Sequence, residues 1–124
     1  MPKTKRKSAT ASLRPRFRIV WGEEIALGPG KAELLAHIRD CGSIAQAAQR
    51  MEMSYMRAWT LVQQMERCFR EPLVHRARGG SRGGGAGLTP TGEHVLKLYE
   101  RMLHQATRAT RKEWAVLRKL LEPG

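Results

Sequence analysis

A mainly α-helical domain with small β elements, continued by one long C-terminal helix, is the fold class this sequence predicts. Three observations predict it. Residues 43–71 carry two short helical patterns separated by a tight break. A glycine-rich stretch, ARGGSRGGGAG at 77–87, lies between two short strand candidates. From Pro90 to Leu121, apolar residues recur in alternating steps of three and four.

Residues 1–15 are rich in Lys, Arg, Ser, Thr and Pro and are expected to form a disordered basic arm. Lys3, Lys5, Arg6, Lys7, Arg14, Arg16 and Arg18 are met before the first acid, Glu23. Such an arm can track phosphates, or it can serve solubility alone. At Arg16 the period becomes two. Phe17, Ile19 and Trp21 share one face and Arg16, Arg18 and Val20 the other, which predicts a half-buried strand. Gly22-Glu23-Glu24 can turn the chain into a second run, Ile25-Ala26-Leu27, which Gly28-Pro29-Gly30 stops.

A first helix is expected from about Lys31, with Leu34, Leu35, Ile38 and Cys41 on its buried face and Gly42 at its end. Ser43 and Gln46 then stand three residues apart, as in a capping box. Ile44, Ala47, Ala48 and Met51 give the second helix a narrow apolar face of mostly small residues. The pattern breaks at Glu52-Met53 and restarts behind a second N-cap, Ser54. Ala58, Val62, Met65 and Phe69 form the third helix's stripe, widened by Tyr55, Trp59 and Leu61, and Trp59 is expected in the core. Met56, Arg57, Thr60, Gln63, Gln64 and Arg67 lie opposite. Small residues let two helices cross closely, and the free polar face suits the major groove of DNA, so the segment reads as a helix-turn-helix. A plain helical hairpin would share the spacing.

The residues C-terminal to this pair of helices favour the helix-turn-helix. Pro72 ends the third helix, and residues 73–77 make a short strand candidate. The glycine-rich stretch carries Arg78 and Arg82 and no acid, as a DNA-contacting wing requires. It lacks both the Lys-Ser/Thr pair of a P-loop and the G-x-G-x-x-G spacing. A flexible linker is the other alternative. Thr89-Pro90 supplies an N-cap and an N1 proline for the last helix. That helix is expected to run unbroken to about Leu121, with Leu96, Tyr99, Leu103, Ala106, Leu117 and Leu120 along one stripe. Thr110 and Glu113 interrupt the stripe, which makes a perfect coiled coil a poor fit. A stripe of that length calls for a partner helix, and a homodimer is the expectation.

Composition agrees. The net charge of +12 and a pI of about 10.9 call for a polyanionic partner. There is no apolar run long enough for a membrane span and no secretory leader pattern, which predicts a cytoplasmic protein. Cys41 and Cys68 form no close pair and are expected to be reduced. His37, His75, His94 and His104 form no zinc spacing, and no nucleophile motif is present, so neither metal, cofactor nor catalysis is expected.

GSIAQAAQRMEMSYMRAW, followed by EPLVHRARGGSRGGGAGLTPTGEHVLKLY, resembles the N-terminal DNA-binding domain of ModE-type molybdate-responsive transcriptional regulators. More distantly it is similar to the winged helix of LysR-type regulators. The resemblance spans roughly residues 16–121 and implies a winged helix-turn-helix at 16–89 on a dimer held by the helix at 90–121. It also implies palindromic operators of genes for molybdenum uptake or use. In that family small molybdate-binding barrels would follow the long helix. Only the DNA-binding half carries over to a chain ending at Gly124, and molybdate is expected to leave its DNA binding unchanged. On this reading Met56, Arg57 and Thr60 face base edges, and Ser54 and Tyr55 approach phosphates. Arg76, Arg78, Ser81 and Arg82 belong to the wing. The expected function is a dimeric, sequence-specific transcriptional regulator. The alternative is an architectural, nucleoid-type protein that coats double-stranded DNA without preference.

Overall fold

A computed structural model, which describes residues 10–77 and 85–121, holds five helices and two small hairpins, in the predicted order except that the last helix is divided in two. They are β1 (Ile19–Trp21), β2 (Glu24–Leu27), α1 (Pro29–Cys41), α2 (Ile44–Arg50), α3 (Tyr55–Cys68), β3 (Val74–Ala77), β4 (Gly85–Leu88), α4 (Pro90–Ala109) and α5 (Arg111–Leu120). The fold is mainly α with two two-stranded antiparallel sheets, β1–β2 and β3–β4.

One compact unit spans Arg16–Glu100. Its core joins Leu27 of β2 to Leu34, Leu35 and Ile38 of α1, Ala47 and Ala48 of α2, and Ala58, Val62 and Met65 of α3. Leu73, Leu96 and Tyr99 close it. The small buried residues Ala47, Ala48 and Ala58 suit the close contact of α2 with α3. Gly42, at φ 71°, ends α1 in the left-handed region that favours glycine and donates its N–H to the Ile38 carbonyl. Ser43 Oγ accepts from Gln46 N at 3.1 Å, so the serine half of the capping box forms. The reciprocal bond from Gln46 is not among the hydrogen bonds of the described residues.

The α2–α3 turn closes as a Schellman motif, with Met53 N donating to Ala48 O and Glu52 N to Gln49 O. The left-handed position falls on Glu52, at φ 57°, where a glycine would sit without strain. At the start of α4, Thr89 Oγ1 accepts from Gly92 N at 3.0 Å, the cap expected from Thr89-Pro90. Thr89 also donates its N–H to Leu73 O and its hydroxyl to Pro72 O. The helix passes so close to the segment just before β3 that a Cβ at Gly92 would lie 2.1 Å from the Leu73 carbonyl oxygen.

Four expectations need correction. β1 is exposed rather than half-buried, because β2, whose Ala26 and Leu27 are buried, is the strand that packs on the helices; Trp21 is 68% accessible. Part of the expected glycine-rich loop, Gly85-Ala86-Gly87, is strand, paired with Ala77, Arg76 and His75. The glycines hid it, yet a Cβ at Gly87 would stand 2.8 Å from His75 Nε2. The last helix breaks at Thr110, giving α4 and α5; the Thr107 and Thr110 hydroxyls donate back to Leu103 and Ala106 carbonyls, a pattern that weakens helices. Finally, Leu96 and Tyr99, expected on a dimer stripe, are each 2% accessible within the Arg16–Glu100 unit, and the Tyr99 hydroxyl donates to Phe17 O at 2.8 Å.

The other unit takes in the described residues 10–15 and 101–121. Its helical part has Leu103, Ala106 and Trp114 half-buried, and α5 has no buried residue. Among the described residues no helix is long and apolar enough to cross a membrane.

Candidate nucleic-acid interface

Ser54 begins the interface. Its extended backbone and its Oγ, which accepts from Arg57 N at 3.0 Å, fix where α3 starts. The first turn holds no acid, so the positive end of the helix is left uncancelled. Tyr55, Met56, Arg57 and Thr60 are exposed on the first two turns, Met56 to 66%. No side-chain hydrogen bond or ion pair within the described residues engages Arg57 or Thr60.

Further along the polar face the picture changes. Arg67 Nη2 pairs with Glu24 Oε2 at 3.0 Å, which ties α3 to β2, and Gln64 is half-buried. The free polar surface of α3 therefore runs from its N-terminus to the exposed Gln63 and stops short of Gln64 and Arg67. Trp59, expected in the core, is half-buried, with the Arg76 guanidinium 4.7 Å above its ring. Arg76 Nη2 also donates to the Tyr55 hydroxyl at 3.1 Å. Of the predicted wing residues, Arg76 lies on β3 beside α3, while Arg78, Ser81 and Arg82 lie outside the described residues.

Several residues that build this face escaped the sequence reading. The Glu66 carboxylate accepts from both Leu73 N and Val74 N at 3.0 Å and so sets where β3 begins. Ala86 N donates to the Gly42 carbonyl at 2.9 Å, which joins β4 to the end of α1. Neither arrangement has a local sequence signal.

Away from this face, Lys31 is almost covered and donates to the Ile25 carbonyl; burial pushes its ammonium pKa down. Burial and the Glu24 carboxylate push the Cys68 thiol up, the opposite of an activated nucleophile. Among the described residues no group of three or more His, Cys, Asp or Glu is placed to hold a metal ion.

A three-helix core with α3 exposed at its N-terminal half and a β-hairpin beside it defines a winged helix-turn-helix protein. Residues 30–93 match the model of the bacterial regulatory helix-turn-helix proteins of the LysR family. The chain belongs to that family. It is similar to the transcriptional regulator ModE of Haemophilus influenzae, 38% identical over 78 residues, or 63% of this chain and 31% of that protein. With the DNA-binding transcriptional dual regulator ModE of Escherichia coli K12 it shares 38% over 78 residues, 63% of this chain and 30% of the other. The molybdenum-pterin-binding protein MopB of Rhodobacter capsulatus is 44% identical over 73 residues, covering 59% of this chain and 27% of MopB. The match thus spans less than a third of each relative's length. Among solved structures, the DNA-binding domain of CbnR in complex with DNA superposes with a TM-score of 0.56 at 25% identity, over 72% of this chain and 97% of that one. The multiple antibiotic resistance repressor MarR gives 0.56 at 14% identity, over 77% and 78%, a likeness of fold alone.

Proposed function

We propose that this protein is a transcriptional regulator that binds a specific double-stranded DNA site as a homodimer. The observation that carries the reading is the N-terminal half of α3, where Met56, Arg57 and Thr60 stand exposed on a capped, acid-free helix end. Arg57 and Thr60 are suited to base edges and Tyr55 and Ser54 to phosphates. Dimerisation rests on the apolar residues left open beyond the core, Leu117 and Leu120, with the half-buried Leu103 and Ala106 on the same predicted stripe. A two-fold dimer reads a palindrome whose half-sites lie one DNA turn, about 34–36 Å, or a multiple of it apart. The name of the MopB relative, a molybdenum-pterin-binding protein, supports genes of molybdenum metabolism as targets.

Selection from a random DNA pool tests this, followed by binding of wild type and Arg57→Ala to the selected and an unrelated duplex. A palindromic motif is expected. Arg57→Ala should cost roughly 1–3 kcal/mol on that site and less on unrelated DNA. Recovery of no motif, with uniform coating and steep salt dependence, would instead establish an architectural protein.

A further inference from the structure

Along β3 the side chains alternate between two faces, and Arg76 shares its face with Val74, a buried residue. Arg76 therefore lies on the side of the hairpin that faces α3, while itself remaining exposed. There it meets Tyr55 and Trp59, one helical turn apart on α3 and so side by side. The guanidinium lies 4.7 Å from the Trp59 ring centroid while Nη2 donates to the Tyr55 hydroxyl at 3.1 Å. Stacking and donating at once requires a planar fork, which arginine has and lysine lacks. Both partners are neutral, and among the described residues Arg76 makes no ion pair. Its charge therefore stays uncancelled beside the exposed end of α3 while its position is fixed.

We infer that Arg76 is a positioning residue: it clasps the β3–β4 hairpin to the first half of α3, so that wing and recognition helix meet DNA as one rigid surface. The opposite strand is already held, since Ala86, the cross-strand partner of Arg76, donates to the Gly42 carbonyl. Without the clasp β3 keeps its start, fixed by Glu66, and its ladder with β4, but loses its side-chain tie to α3 farther along. The inference rests on the proposed DNA binding for its functional consequence and on geometry for the clasp itself.

Two variants of the full chain separate clasp from charge. Arg76→Lys keeps the charge without the fork, and Tyr55→Phe keeps the ring without the hydroxyl. Amide hydrogen exchange of the β3 and β4 residues, measured without DNA, should quicken by about five-fold in each, as loss of one hydrogen bond implies. The double variant should quicken little beyond Arg76→Lys, because both changes break the same contact. The ratio of affinities for the selected and unrelated duplexes should fall by a similar factor. Side chains that only touch phosphate would weaken both duplexes evenly and leave exchange as it was. Unchanged exchange therefore overturns the clasp, and faster exchange with an unchanged affinity ratio overturns its role in recognition. Should wild type show no site preference, the proposed function fails, and exchange alone decides the clasp.

Discussion

One amphipathic pattern runs from α4 into α5, yet its two ends differ sharply. Leu96 and Tyr99 are 2% accessible, while Leu117 and Leu120 are 54% and 74% accessible. The first pair belongs to the Arg16–Glu100 unit, and the second lies on a helix with no buried residue. Period alone does not say what a stripe packs against. The unit rich in buried aliphatics can be stable by its own core, whereas α5 gains only when something covers it.

Substitution at the two ends sharpens the contrast. Leu96→Ala should cost about 2–5 kcal/mol in thermal or denaturant unfolding, the penalty for emptying a filled core site. Lysines at both Leu117 and Leu120 should change the unfolding free energy of the Arg16–Glu100 unit by no more than about 0.5 kcal/mol, as surface changes do. Their effect should appear in sedimentation, as dissociation of a dimer at concentrations where wild type associates. A large loss of stability without dissociation would show that α5 is covered within its own chain, and the comparison would break.

A smaller change acts on the Arg16–Glu100 unit alone. Glu52 holds a left-handed backbone that disfavours any side chain with a Cβ. Glu52→Gly should raise that unit's stability by about 0.5–1 kcal/mol, after allowing for the extra freedom glycine gives the unfolded chain. Equilibrium unfolding measures it, and the association behaviour assigned to α5 should not move.

The same division separates what is legible in the sequence from what is not. The caps at Ser43, Ser54 and Thr89 are legible because each acts on a backbone group three residues away. The helices of the core are legible from their spacing. Glu66 capping Leu73 and Val74, Ala86 meeting Gly42, and Arg67 held by Glu24 join residues whose meeting only the tertiary fold arranges. For that reason the polar face of α3 looks free along its whole length in the sequence, although Gln64 and Arg67 near its end are not. Arg76 is legible as a basic residue near the wing but not as the partner of Tyr55 and Trp59. Its register on the side facing α3 is present in the alternation from Val74, and the shortness of the strand makes that signal easy to pass over.

The Glu24–Arg67 pair gives the smallest expected effect, and a pH dependence with a definite sign. The hydrogen-bonded Arg67 guanidinium holds the Glu24 carboxyl below its ordinary 4.5. The Cys68 thiol, 3.6 Å away, donates to the other oxygen. The folded protein thus binds that proton less readily than the unfolded chain. The stabilisation is complete above the ordinary glutamate range and drains away as the pH falls through the lowered folded value. Both partners are substantially exposed, so salt should shrink it further. Glu24→Gln should be slightly less stable than wild type near neutral pH in low salt, and the gap should narrow as the pH falls below the ordinary glutamate range and Glu24 takes up its proton. Paired unfolding curves along a falling pH series test this. A gap of constant size would mean that Glu24 holds β2 to α3 by shape and hydrogen bonding, with no part played by its charge.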